Sequence, residues 1–431
     1  MTERVVYRAA LAHCLADPGD DFASPRLESH DDGALIVEDK RIVAAGPAAA
    51  LLPGIDARVV DFTGSIIVPG FIDCHVHFPQ LDIVASYGEQ LLDWLDRYAY
   101  PCEMRLADEE YAEALAAAFV EQLIANGTTS ALVFATVHPH SAELLFNAAL
   151  ASDLRLVAGK VLMDRNAPEP LLDTAATAYA DSRALIERWQ GRGRLGYAIT
   201  PRFALTSTPA ELEAAGRLAM EFPETWIHTH LAENHREIDE VAAAFPWSTS
   251  YLDVYERFGL LRERAVFAHC LHLGDEDCRH MAEAGATAAF CPTSNLFLGS
   301  GLYDLERMTR AGIRTGLATD VGGGTTLSML RTMGEAYKVL QLQGQPLSAG
   351  RALFLATLGA AEALGIDRHV GNFLPGKEAD FVVLEPRAAA LTARRDAHAE
   401  TLEERLFALM TLGDDRHVAA TAVNGALYRQ A

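Results

Sequence analysis

Pro69-Gly-Phe-Ile-Asp-Cys-His75-Val-His77-Phe-Pro-Gln80, preceded by the apolar run Ser65-Ile-Ile-Val68, is the stretch on which the fold turns. A β-branched run closing on Pro-Gly reads as a buried strand. On that strand His75 and His77, two residues apart, present their side chains to one face. Two imidazoles so placed can grip one metal ion. A His-x-His pair also arises by chance at half-buried positions, and a metal needs three or four ligands, so the rest of the chain decides.

The 431 residues exceed one ordinary domain but suit a large barrel with a small satellite, and at 50% hydrophobic they can bury a sizeable core. Acidic residues outnumber basic ones 59 to 36, for a net charge of -23. With no basic patch to override that field, a nucleic-acid partner is not expected. The six cysteines form no CxxC pair, which fits free thiols in a reducing compartment. The first residues lack a signal-peptide core and no apolar run approaches membrane-spanning length. A cytoplasmic protein without membrane association is therefore expected.

Residues 1–68 alternate short β-like runs with turns (Val5 to Leu11, Gly33 to Glu38, Arg41 to Gly46, Arg58 to Phe62), and residues 371–431 carry the same character. Neither flank has enough strands to stand alone, so both ends are expected to pair into one small, antiparallel β-sandwich. Residues 69–370 would be inserted between them as a catalytic domain. There the pattern becomes eight apolar runs separated by Ala-rich amphipathic stretches such as Glu109 to Asn126, Pro139 to Ser152, Pro170 to Gln190 and Pro209 to Glu221. Eight alternating units predict an α/β fold of the (β/α)₈ TIM-like barrel type, with functional residues at the C-terminal ends of its strands. No glycine-rich phosphate fingerprint supports the alternative, a doubly wound open sheet.

The polar residues at those strand ends form a set. His75 and His77 close the first strand, His230 the fifth, His269 the sixth and Asp320 the eighth. A single histidine is more often packed or exposed than metal-bound, but five such residues at equivalent ends of one barrel converge. Three imidazoles and a carboxylate leave an open position on Zn²⁺ or Fe²⁺, and such an ion lowers the pKa of a bound water to about 7. Glu233, three residues past His230, is placed to carry a proton to a leaving nitrogen. It could equally be an acid favoured by a helix N-terminus.

With its fifth- and sixth-strand histidines and Thr319-Asp320, the Pro-Gly-Phe-Ile-Asp-x-His-x-His pattern resembles the amidohydrolase superfamily. Gly371-Asn-Phe-Leu-Pro-Gly-Lys-Glu-Ala-Asp-Phe-Val-Val-Leu384 looks like that superfamily's C-terminal signature. More narrowly, His75-Val-His77-Phe-Pro-Gln80, Tyr87 to Leu95, Gly159 to Asn166, Thr200-Pro-Arg202-Phe203, His228-Thr-His230-Leu-Ala-Glu233-Asn and Thr319 to Thr325 resemble its guanine deaminases. The resemblance implies one zinc per chain held by His75, His77, His230 and Asp320, with Asp320 also taking a proton from water. It implies Glu233 as proton carrier, His269 as the group orienting the attacking oxygen, and Gln80, Arg202 and Phe203 as the purine pocket. It further implies guanine as substrate, xanthine and ammonia as products, and a homodimer. Arg and Gln do offer fixed donors to a planar, acceptor-rich ring, and an aromatic face suits its packing.

Other features are set aside. The fourth strand ends in Thr200-Pro-Arg202 and not in the lysine that bridges two metals in some superfamily members, so one metal is expected, and Lys160 lies on the third run. His398-Ala-Glu400 lacks the Pro-Cys-x-x-Cys of the other zinc deaminases. Gly322-Gly-Gly is no Walker loop and is read as permitting a tight turn after Asp320. His269, Cys270, His272, Cys278 and His280 fit no standard zinc spacing. The rivals are a related enzyme acting on another aminopurine, a pterin or an s-triazine, and a non-catalytic relative, the latter disfavoured because all four ligand positions and Glu233 are present.

Overall fold

In the computed structural model, which describes residues 4–21 and 23–429, the histidine pair is one strand further on than expected. Ser65–Val68 ends the strand Arg58–Pro69, and a separate strand, Phe71–His77, starts after Gly70. Proline has no N–H with which to continue a ladder. At Gly70 the chain passes so close to its neighbour that a Cβ would lie 2.1 Å from Thr129 Oγ1. Every residue of Phe71–His77 is buried, as in a strand covered on both faces.

Eight barrel strands lie side by side in chain order: Phe71–His77, Thr128–Phe134, Arg155–Gly159 with its continuation Val161–Leu162, Leu195–Pro201, Trp226–Leu231, Ala265–His269, Thr287–Phe290 and Arg314–Leu317. From the third to the eighth the pairing is parallel. Past the eighth strand, Asp320 N donates to His75 O at 2.9 Å and His77 N donates to Val321 O at 2.8 Å. These bonds bring the eighth strand's extension to the first and nearly close the barrel.

Helices Glu109–Ala125, Pro139–Ala151, Ala175–Trp189 and Pro209–Glu221 fall between the first five strands. The third starts later than expected. Thr174 caps it by accepting from Thr177 N, and Glu169–Leu171 forms a separate 3₁₀ turn. The fourth begins where Thr208 caps it with Pro209 as first helical residue, the position a proline tolerates.

The flanking strands form one seven-stranded sheet in the order Ala426–Arg429, Val418–Val423, Phe381–Leu384, Arg58–Pro69, Arg4–Cys14, Leu27–Glu38, Arg41–Pro47. Both ends of the chain do pair, but the sheet is mixed and not antiparallel, since Arg4–Cys14 runs parallel to Arg58–Pro69. Its edge strand turns back on the sheet: Ile42 N donates to Lys377 O and Ala379 N to Lys40 O, each at 2.9 Å. One face encloses a core of Tyr7, Leu11, Leu35, Ile67, Phe381 and Val383 among others, while Val6, Ala34 and Ile36 pack with Ala48 on the other.

Two compact units result. One holds the N-terminal segment to Asp73, Gln122–Ser130 and the chain from Leu327 onward. The other holds Cys74–Glu121 and Ala131–Thr326.

Candidate active site

All nine side chains singled out in the sequence belong to the second unit. His75 and His77 are the fifth and last residues of their strand. His230 lies near the end of the fifth strand, and His269 closes the sixth with φ 72°. Asp320 sits three residues past the eighth strand, itself in the left-handed region at φ 50°. After it the chain turns tightly through the three glycines, as expected, with Gly324 N donating to Asp320 O at 2.5 Å. The glycines also answer a packing need, since a Cβ at Gly324 would fall 1.7 Å from Thr319 O and one at Gly322 would fall 2.8 Å from Gln80 O.

The donor atoms meet. His75 Nε2 lies 3.1 Å from His77 Nε2 and 3.1 Å from Asp320 Oδ1, and His77 Nε2 lies 3.3 Å from His230 Nε2 and 3.4 Å from Asp320 Oδ1. Four ligands about 2.0–2.1 Å from a tetrahedral ion stand about 3.3 Å apart, so this spacing fits one metal. His269 also comes near: one atom each from His75, His230, His269 and Asp320 lie within 4.8 Å of one another. Distance alone thus admits either His77 or His269 as the fourth ligand, but His269 Nε2 is 3.8 Å from the nearer Asp320 oxygen.

His230 Nδ1 lies 2.6 Å from Arg202 O. A carbonyl can only accept, so Nδ1 carries the proton and Nε2 offers its lone pair to the cluster. Asn295 Nδ2 lies 2.9 Å from His269 Nδ1. The Nε2 of His269 lies 3.3 Å from Glu233 Oε2. Burial pushes the imidazoles of His77 and His269 down to about 4 and about 3, and that of His230 well below its usual value, so all three are neutral at pH 7.

Two carboxyls in this space are driven apart. Burial alone would raise Asp320, but His75, His77 and His269 hold it well below the usual carboxylate range. Burial, then the Asp320 charge, pushes Glu233 well above it. Glu233 is fixed by Ser300 Oγ, which donates to its Oε1 at 2.9 Å. A base and an acid side by side is the division of labour that hydrolytic chemistry uses.

The residues 66–427 match the Amidohydrolase family. The chain belongs to the amidohydrolase family. It is 54% identical over 370 residues to the guanine deaminase of Escherichia coli strain K12, spanning 86% of this chain and 84% of that protein. The solved structure of E. coli guanine deaminase superposes with a TM-score of 0.96, covering 99% of this chain and 100% of that one, at 48% identity over this longer span. Guanine deaminase from C. acetobutylicum, solved with guanine bound in its active site, superposes with a TM-score of 0.89 at 27% identity, covering 99% and 100%.

The three remaining expected residues form one wall of a cavity of ≈ 420 Å³ in this amidohydrolase, lined also by His77, His230, Glu233, His269 and Asp320. Arg202 and Phe203 follow the fourth strand directly, and Gln80 lies in the 3₁₀ turn Phe78–Ile83 after the first. Leu91, Trp94, Leu95, Leu298, Gly323 and a further carboxyl, Glu237, complete the lining.

Four partners escaped sequence reasoning. Glu103 binds both Arg202 and Gln80. His228 Nε2 lies 2.7 Å from His75 Nδ1. Its signal was present, because His228-Thr-His230 repeats the two-residue spacing of the first strand. Asn295 and Ser300 hold His269 and Glu233 from the segment after the seventh strand, and nothing local marks them.

Proposed function

We propose that the chain hydrolyses guanine to xanthine and ammonia with one zinc ion held by His75, His77, His230 and Asp320, Fe²⁺ being the other ion that suits these donors. One observation carries this assignment: Glu233 and Arg202 line the same cavity as His77, His230 and Asp320, in a chain 54% identical to a guanine deaminase. When bound, the ion supplies a Lewis acid that makes water nucleophilic at neutral pH.

The chain's own residues do the rest. Ionised Asp320 accepts the proton of the attacking water. Glu233, held protonated, donates to the ring nitrogen beside C2 as the oxygen adds there, and a proton passed back through it lets the amine leave as ammonia. His269 donates through Nε2 to orient the oxygen. Arg202 and Gln80 donate to the acceptor edge of the purine, while Phe203 packs on the ring. One water enters and one ammonia departs, so no redox partner is required.

The same family resemblance supports a homodimer, and the six cysteines without a CxxC pair support a reducing, cytoplasmic setting. Among the described residues no helix is long and apolar enough to cross a membrane. Incubation of zinc-loaded protein with guanine, followed by ultraviolet absorbance, tests the activity. Conversion to the xanthine spectrum is expected. Turnover of another aminopurine, a pterin or an s-triazine in its place would overturn the substrate, and a metal content under about half an ion per chain would favour a non-catalytic relative.

A further inference from the structure

Building on the guanine assignment, we propose that Glu103 is a specificity-determining positioning residue. It joins Gln80 and Arg202 into one charge-neutral edge that selects an uncharged purine over an anionic one. Glu103 lies on the helix Tyr100–Met104 and is 1% exposed. Its Oε1 accepts from Gln80 Nε2 and from Arg202 Nη1, both at 2.8 Å, and its Oε2 accepts from the same Nη1 at 2.7 Å. The other end of the Gln80 amide is also fixed, because Gly322 N donates to its Oε1 at 3.2 Å. Tyr100, from the same helix, places its ring 5.2 Å from the Arg202 guanidinium. Side chains from the loops after the first and fourth barrel strands are thus locked together by one carboxylate.

Charge gives this carboxylate a second effect. A buried guanidinium left unpaired would place a full cation on the cavity wall, whereas paired with Glu103 it offers polarised N–H groups with no net charge beneath them. The lactam carbonyl of a neutral purine needs donors and no more. The oxopurine product of hydrolysis, more acidic than the aminopurine it derives from, can ionise and would be held by a net cation. Pairing Arg202 therefore favours substrate over the anionic form of the product and assists release.

Zinc-loaded wild type, Glu103→Gln, Arg202→Gln and the double variant are compared for guanine kinetics and for inhibition by urate, an anion at neutral pH, against hypoxanthine, which is neutral there. Glu103→Gln is expected to raise the guanine KM about 10-fold with a smaller change in kcat. It should also tighten urate relative to hypoxanthine about 10-fold, with the double variant returning that ratio to the wild-type value. A merely structural role would shift both inhibitors together. Should Glu103→Gln not fold, Arg202→Gln, which leaves the Glu103 charge uncompensated, must weaken urate relative to hypoxanthine, and the double variant must restore it. An unmoved ratio overturns the role of Glu103, while absence of guanine turnover by the wild type overturns the substrate assignment itself.

Discussion

The ring of His230 and the backbone of Arg202 are joined by a hydrogen bond of 2.6 Å from Nδ1 to the carbonyl oxygen. The main chain of a residue proposed to face the purine thereby sets the tautomer of an imidazole proposed to hold the metal. Substrate edge and metal centre share one rigid reference, so a shift of the fourth strand end would disturb both.

Glu233→Gln is isosteric and replaces none of the four proposed ligands. It should leave metal content and thermal stability unchanged while kcat falls by about 10²-fold or more, since the proton carrier is gone. Parallel metal analysis and steady-state kinetics check this. A kcat near the wild-type value would remove Glu233 from proton transfer.

His77→Asn and His269→Asn distinguish the two candidates for the fourth ligand. If His77 ligates and His269 only donates, the first variant loses most of its metal on dialysis. The second retains it with turnover reduced by about 10²-fold. The reverse pattern of metal content would reassign the site.

His228 is fully buried and 2.7 Å from His75 Nδ1. Replacing it with Leu puts an apolar side chain of close volume in its place and removes the hydrogen bond that orients His75. Metal affinity should fall by about 10–100-fold, measured by competition with a chelator, while circular dichroism stays that of the folded protein.

His13 links pH to stability in the flanking sheet. Burial, opposed in part by the charge of Glu28, lowers its folded pKa from 6.5 to about 4. As pH falls the unfolded chain takes up this proton first, so the sign is destabilising. Stability is complete above the unfolded value and is lost as pH drops from 6.5 towards 4. At a pH near 5 the loss is about 2 kcal/mol. His13→Gln should therefore flatten the acid limb of the urea midpoint against pH, and superimposable limbs would refute the assignment.

Much of the fold was legible because the barrel repeats one unit eight times. Each apolar run with its helix-like successor is a local signal, and Thr208-Pro209 marks the start of Pro209–Glu221. The first strand was displaced because Ser65–Val68 and Phe71–His77 are both apolar and buried, and only the break at Pro69-Gly70 tells them apart. The proposed metal donors drew notice because each lies near or just past the C-terminal end of an apolar run. Glu103 was not, because a carboxylate on a five-residue helix becomes informative only when the fold carries Gln80 and Arg202 to it.

Arg58–Pro69 has Arg4–Cys14 on one side and Phe381–Leu384 on the other, and the second of these neighbours lies beyond the whole barrel in sequence. During synthesis Ile66–Pro69 must wait on the ribosome with an unpaired apolar edge until nearly all of the polypeptide has emerged, a period in which strand exchange between nascent chains is open to it. A chain cut short anywhere before Phe381 never covers that edge, so release of incomplete chains should yield aggregates instead of a soluble, isolated barrel.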